Sequence, residues 1–419
     1  MFAHVDADSF FASVLQRKLP HLKGKPLLAL GMGGGCVIAA SYEAKAKGVR
    51  TGMRLTEALK LVPSAECMPA DFRETGIASH DIEAILQNAC PIIEQMSVDE
   101  WYLDLATVVG GLPKDLYAWA QDVQKTILGR TALSVSIGVA PSKLLAKMAG
   151  EYHKPAGISI ICGDPRKDAR FARLYKDPPS QIYDIETFLR DRPVAAIPGI
   201  GHRRQVYTRT LRWDTAWDFA TADRALVKKL FGKVGEEMQR ELLGERVSPV
   251  MEDTRPPQSI SRCRSFRASR DRGTLWAHML HHLSYTVLKM RRQALACRGM
   301  SLWLRDGEYE HEGSSLSFSQ PLATEEALHP HLLRCFEEVY DRRRAYTQTG
   351  LALWNLCPTS AMQFTLFREP REMEKEEKVQ QSLDTLHERF GRDAIARGSA
   401  LEVKSGTRRD FDFGIYGDT

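Results

Sequence analysis

The sequence predicts a multidomain α+β protein. At 419 residues it exceeds what one hydrophobic core supports. Its first 165 residues interleave strand-like apolar runs with helical stretches, and two of those runs end in pairs of carboxylates. Its last third reads as strand, helix, two strands, helix and strand in that order.

Phe2-Ala3-His4-Val5 reads as a strand running into Asp6-Ala7-Asp8. The apolar approach Pro91 to Met96 leads through Ser97-Val98-Asp99-Glu100 into Trp101-Tyr102-Leu103-Asp104-Leu105. Between them, residues 20 to 77 form an inserted unit around the glycine run Gly31 to Gly35. No Gly-Lys-Ser/Thr follows that run, so a flexible turn is predicted and not a phosphate loop. Short helices with polar breaks fill 166 to 245 and contain Ile197-Pro198-Gly199-Ile200-Gly201-His202-Arg203-Arg204, which has the look of a helix-hairpin-helix. Glycines between two helices let backbone N–H groups approach a phosphate, and the helix start adds its dipole.

Met251 to Gln258, with acids and then Pro256-Pro257, reads as a linker. Beyond it the pattern predicts a strand over Ser259 to Phe266, a helix over Leu275 to Cys297, and strands over Ser301 to Arg305 and Ser314 to Phe318. A helix over Glu325 to Arg344 and a strand over Gly350 to Leu356 complete the order. The tail from about 368 contains a charged helix, Glu372 to Phe390.

Acids at the ends of neighbouring strands carry the chemistry. A buried carboxylate must be matched by cations or hydrogen bonds. Three or four of them on adjacent strands form an oxygen-rich, negative pocket suited to a hard cation such as magnesium. Magnesium in such a pocket commonly also holds substrate phosphates, which points to phosphoryl or nucleotidyl transfer. A lone acidic residue at a strand end is otherwise a turn or cap residue. Neighbours in a regular strand point to opposite faces, so Asp99 and Glu100 need a strand end or a distortion to share a metal.

Composition excludes other classes. Hydrophobic and charged fractions of 43% and 26% are those of a globular protein. No apolar run approaches the ~20 residues of a membrane span, and Asp6 and Asp8 stand where a signal peptide needs basic residues, so a cytoplasmic protein is expected. Eight cysteines without any Cys-x-x-Cys pairing argue against zinc sites and a disulfide framework. The net charge is +5, yet Arg255 to Arg305 holds eleven Lys or Arg against one acid, Asp271. That block has the footprint of a polyanion-binding surface.

Several strings, in order and spacing, resemble the Y-family translesion DNA polymerases. They are Asp6-Ala7-Asp8-Ser9-Phe10-Phe11, Ala40-Ser41-Tyr42-Glu43-Ala44-Lys45, Gly48 to Met53, Ser97 to Glu100, Ser136 to Lys147 and His153-Lys154-Pro155. The resemblance covers nearly the whole chain. It implies a right-hand polymerase with a palm (1–19 and 78–165), fingers (20–77), a helical thumb with its helix-hairpin-helix (166–245), a linker (246–258) and a β-α-β-β-α-β little finger (259–362). A clamp-binding peptide and C-terminal tail (363–419) follow. Gly35 to Ala39, Lys45, Ser261 to Phe266 and Tyr346 to Gly350 lean towards the bacterial polymerase V catalytic subunit (UmuC type), with polymerase IV (DinB type) as the close relative.

By resemblance, Asp6, Asp99 and Glu100 are catalytic. They would hold two magnesium ions, or manganese in their place, together with the Ala7 carbonyl; Asp8 stays outside the metal set. Phe10, Phe11, Tyr42, Lys45 and Lys154 fall at nucleotide-binding positions. Phe11 is the steric gate against a 2′-hydroxyl, and Phe10 suits core packing. Three positions depart from the commonest pattern. Lys45 replaces an arginine, Ala39 stands where many relatives carry threonine, and Trp101 replaces a small residue. Gly199, Gly201, Arg203, Arg262, Arg264 and Arg267 would contact DNA. Gln363, Leu366 and Phe367, within Gln363-Phe364-Thr365-Leu366-Phe367, resemble the peptide that grips the sliding clamp.

The implied activity is template-directed, low-fidelity translesion DNA synthesis in damage tolerance and SOS mutagenesis. The implied partners are primer-template DNA, deoxynucleoside triphosphates and the sliding clamp, with a UmuD-type dimer and RecA left open. The alternative is a non-catalytic, polymerase-derived adaptor that binds DNA, clamp or recombinase. Such adaptors typically carry a broken acidic triad, whereas Asp6, Asp99 and Glu100 are all present here.

Overall fold

A computed structural model describes residues 1–31, 34–162, 182–251, 256–308, 310–361, 370–391, 394–401 and 403. Two compact units divide the chain, Met1–Asp253 and Thr254–Asp410.

The first unit begins β1 (Phe2–Ala7), α1 (Phe10–Lys18), β2 (Leu27–Leu30), β3 (Val37–Ala40), α2 (Tyr42–Lys45), α3 (Leu55–Leu61), β4 (Glu66–Pro69) and α4 (Phe72–Ala89). It continues with β5 (Ile93–Gln95), β6 (Glu100–Asp104), α5 (Leu116–Thr131), β7 (Val135–Ala140), α6 (Lys143–Tyr152), β8 (Ile158–Cys162) and β9 (Ile182–Asp184). The helices α7 (Ile185–Arg190), α8 (His202–Thr210), α9 (Ala216–Thr221) and α10 (Arg224–Leu242) close it, the last broken at Gly232.

Its main sheet has six strands in the order β5-β6-β1-β7-β8-β9, with β1 antiparallel to both neighbours. Period-two alternation sorts the side chains. Ala3, Val5, Trp101, Leu103, Ile137 and Val139 join the core built with Ile82 and Leu86 of α4 and Val123 and Ile127 of α5. Phe2, Tyr102 and Ala140 belong to the opposite core, with Leu145, Ala146 and Met148 of α6. His4, Asp6 and Glu100 fall in the second set by the same alternation. Trp101 is therefore a fully buried core residue directed away from the acids.

A three-stranded sheet, β3-β2-β4, forms the insertion. The boundary expected at 77/78 falls inside α4, one continuous helix whose start is capped by Asp71 accepting from the Glu74 N–H. The linker expected over 246–258 is likewise partly anchored. Arg246 pairs with Asp104, and the Met251 N–H donates to Glu94 at 2.9 Å.

The second unit comprises β10 (Ser259–Ser269), α11 (Arg272–Arg292), β11 (Leu295–Asp306), β12 (His311–Leu322), α12 (Glu325–Val339), β13 (Tyr346–Pro358) and α13 (Pro370–Phe390). Its sheet order is β10-β13-β11-β12. Helices α11 and α12 cover one face through Leu275, Leu283, Val287, Leu332 and Phe336. The predicted element order holds, except that Leu295 to Cys297 is strand and not helix, because the helix gives way at Ala294 with φ +52°.

The open face carries Ser261, Ser265, Ser301, Ser315 and Ser317 with Trp303 and Trp354. The Trp354 Nε1–H donates to Ser301 at 2.7 Å. Each tryptophan lies over a cross-strand glycine, Trp354 over Gly299 and Trp303 over Gly350. The helix α13 docks on the covered side, where Arg291 donates to Glu377 (2.7 and 3.0 Å) and Asp384 (2.6 Å).

Gly138 and Gly150 let α6 lie directly on β7. A Cβ at Gly138 would sit 2.1 Å from both the Ala146 carbonyl oxygen and the Gly150 nitrogen, which are backbone atoms that cannot swing aside. Gly138→Ala should therefore lower the stability of the first unit by roughly 3 kcal/mol or more, read as a fall in the denaturant midpoint of the purified chain.

Candidate active site

The site grows from the cross-strand pair Asp6 and Glu100, directly opposite each other on β1 and β6. Directly opposed like charges repel, so the pair needs cations. Lys154 Nζ lies 2.6 Å from Asp6 Oδ1, and Lys147 Nζ lies 2.5 Å from Glu100 Oε1. Burial pushes the Asp6 carboxyl up to about 7; Lys154 opposes that rise, while Glu100 and Asp99 add to it. Burial acts to raise Glu100 too, but Lys147 outweighs it and holds the carboxyl below its ordinary value.

Asp99 sits in the turn just before β6, which resolves the problem of two neighbouring acids in one strand. Its carbonyl accepts from the Ala7 N–H at 2.9 Å, and its carboxylate accepts from the Ser97 hydroxyl at 2.5 Å. Burial raises its carboxyl. The structure therefore joins Asp6, Ala7, Asp99 and Glu100 at one end of the β1–β6 pair.

Sequence reasoning missed His4. Its ring nitrogen and the carboxylate oxygens of Asp6 and Glu100 lie within 4.8 Å of one another. The imidazole is fully buried, neither nitrogen has a hydrogen-bond partner among the described residues, and burial lowers its pKa to about 3. Period two from Asp6 is the signal that could have found it. Lys147 was also missed; it lies one helical turn beyond Lys143, which pairs with Glu94.

Asp8 is a hydrogen-bond hub beside the acids. Almost wholly buried, it accepts from the Ser136 hydroxyl (2.7 Å), the Ala156 N–H (2.8 Å) and the Tyr42 hydroxyl (3.3 Å). Those bonds fix the turn that carries Lys154 and bring Tyr42 of α2 to the acids. Lys45 lies over the Tyr42 ring, 4.6 Å from its centroid. Phe11 is half-buried on α1, edge-on to Phe72 at 5.8 Å. Phe10 is 2% exposed within the main core, so its predicted place at the nucleotide is corrected to a packing role.

Gly199, with φ +95°, turns the chain into α8, whose start at Gly201 presents an exposed Arg203; the Arg204 guanidinium donates to the Gly199 carbonyl at 3.1 Å. In the second unit, Arg262 and Arg264 share the face of buried Ile260, opposite Leu351 and Thr349. Arg262 stacks over Tyr285 of α11, 4.4 Å from the ring centroid. The two arginines are thus on the helix-covered side, where strand alternation puts them, whereas Arg267 is exposed. Gln363, Leu366 and Phe367 lie outside the described residues.

Comparison with known proteins gives this arrangement a context. The profile described as the impB/mucB/samB family matches residues 5–151, and that of the family's C-terminal domain matches 257–366. The protein named DNA polymerase IV 1 of Halalkalibacterium halodurans is 30% identical over 98% of this chain and 97% of its own length. The DNA polymerase IV of Xanthomonas oryzae pv. oryzae is 30% identical over 87% of this chain and 97% of its own. These relatives carry the polymerase IV name, the type that the sequence strings ranked behind polymerase V.

Among solved structures, a Y-family DNA polymerase chimera of Dbh and Dpo4 shares the fold with a TM-score of 0.67 at 23% identity, covering 85% of this chain and 99% of that one. An insertion ternary complex of Dbh DNA polymerase has a TM-score of 0.59 at 24% identity, with the same coverage. Matching profiles at both ends, and a relative aligned almost from end to end, place the chain in the Y family of DNA polymerases.

Proposed function

We propose that the chain performs template-directed, low-fidelity DNA synthesis past damaged bases, by two-metal nucleotidyl transfer, in DNA damage tolerance and SOS mutagenesis. The observation that carries this reading is the convergence of Asp6, Ala7, Asp99 and Glu100 at one end of β1 and β6, compensated by Lys147 and Lys154. All-oxygen donors of this kind fit magnesium or manganese. Asp6, Asp99, Glu100 and the Ala7 carbonyl would hold the ions, which when bound lower the pKa of the primer hydroxyl and neutralise developing phosphate charge.

The remaining residues bind and orient. Tyr42, Lys45 and Lys154 converge beside the acids, where a triphosphate needs cations and hydroxyl donors. Phe11 would underlie the incoming sugar and leave no room for a 2′-hydroxyl. The N-terminus of α8 offers free backbone N–H groups to a DNA phosphate. The open face of the second unit, with serine hydroxyls, flat tryptophans and no Asp or Glu among the residues named on it, suits the sugar-phosphate backbone better than the side bearing Arg262 and Arg264. The segment with Gln363, Leu366 and Phe367 would recruit the sliding clamp. No helix among the described residues is long and apolar enough to cross a membrane.

Primer extension with purified protein tests the whole. Asp99→Ala and Glu100→Ala should each cut incorporation by on the order of 1,000-fold or more. Primer-template affinity should barely change, because the acids serve the metals and not the duplex; synthesis above a few per cent of wild type would sink the assignment.

Phe11→Ala should raise ribonucleotide kcat/KM relative to deoxynucleotide by roughly 100-fold. A variant that copies DNA and still rejects ribonucleotides places the gate elsewhere.

For DNA, Arg267→Ala should lower the log–log salt slope of binding by roughly 1, whereas Arg262→Ala should leave the slope and instead reduce the melting temperature. The opposite pattern would put the duplex on the helix-covered side.

A further inference from the structure

Lys147 has so far been given only a charge-compensating part, yet its placement is specific. It projects from α6 one turn after Lys143, and Glu100 is its one ion-pair partner among the described residues. Its side chain is 24% exposed and that of Glu100 is 22% exposed, so this is not a solvated surface pair of negligible consequence. Three carboxyl groups, those of Asp6, Asp99 and Glu100, cluster with two ammonium groups, those of Lys147 and Lys154.

We propose that Lys147 is a built-in counter-ion of the metal site: its ammonium neutralises Glu100 when no divalent cation is present and yields that carboxylate when one binds. The inference rests on the reading that Asp6, Asp99 and Glu100 hold the cations. Lys147 is then a positioning residue. It keeps Glu100 in place opposite Asp6 against their mutual repulsion, and it competes with metal for the same oxygen. The two consequences have opposite signs: removing the ammonium weakens the metal-free fold and strengthens metal binding. A purely structural lysine would produce only the first.

The test uses the full chain freed of metal, with manganese as the probe, and follows unbound Mn2+ by electron paramagnetic resonance together with thermal melting. Lys147→Met should bind Mn2+ roughly 3- to 30-fold more tightly than wild type. It should melt at lower temperature without metal, and should gain more from Mn2+ than wild type does. Lys147→Arg, which keeps the charge, should stay near wild type. Equal or weaker Mn2+ affinity in Lys147→Met, with wild type and Lys147→Arg binding normally, overturns the proposal.

Glu100→Ala separates the two levels. If wild type binds Mn2+ no better than Glu100→Ala, the metal assignment itself fails and the counter-ion role falls with it. Should Lys147→Met not fold without metal, wild-type protein labelled with 15N-lysine gives a second reading. The Lys147 Nζ resonance, identified by its absence from Lys147→Arg, should move or broaden into solvent exchange as Mg2+ is added. A resonance unchanged at saturating Mg2+ overturns the proposal.

Discussion

Two carboxylates face each other across the antiparallel pair β1 and β6, and most of the first unit is arranged around that repulsion. The cations that offset it come from α6 and the turn after it. Those cations reach the acids because α6 lies against β7 with Gly138 and Gly150 nearly in backbone contact. Asp8 then ties the Lys154 turn to β7 and to α2 through Ser136, Ala156 and Tyr42. Packing, hydrogen bonding and charge at this site are therefore one arrangement. A side chain added at Gly138 acts on the acids without touching them.

Much of this was legible in the sequence. The acidic pairs marked the strand ends because carboxylates are not left in apolar runs without reason. The element order of the second unit followed from alternating and helical periodicities. What escaped had tertiary causes. His4 looks like an ordinary strand residue until β6 brings Glu100 beside it. Lys147 belongs to a helix whose partner strand is far away in sequence. The 77/78 position lies within the unbroken helix α4, which local composition does not register because a capped helix continues through a change of neighbours.

The arginines of β10 show how a correct regional inference can fail residue by residue. The block 255–305 is basic, and that is a property of the sequence. Which arginines meet solvent is a property of the pleat. Arg262 and Arg264 alternate in phase with Ile260 and end beside α11, whereas Arg305 alternates in phase with Ser301 and Trp303 on the open face of serines and two tryptophans spread over glycines. Charge counts locate a surface; side-chain phase decides its chemistry.

The docking of α13 bears on how shortened forms of this protein behave. Arg291 is 11% exposed, and its guanidinium is satisfied by Glu377 and Asp384, while the amide oxygen of Gln380 accepts from the Glu325 N–H at the start of α12. Cutting the chain after β13 would take away the Gln363 segment and also strand a nearly buried guanidinium and leave the Glu325 N–H without its acceptor. Loss of function in such a truncation would mix the loss of the proposed clamp-docking peptide with a weakened domain. Point changes at Leu366 and Phe367 keep those two effects apart.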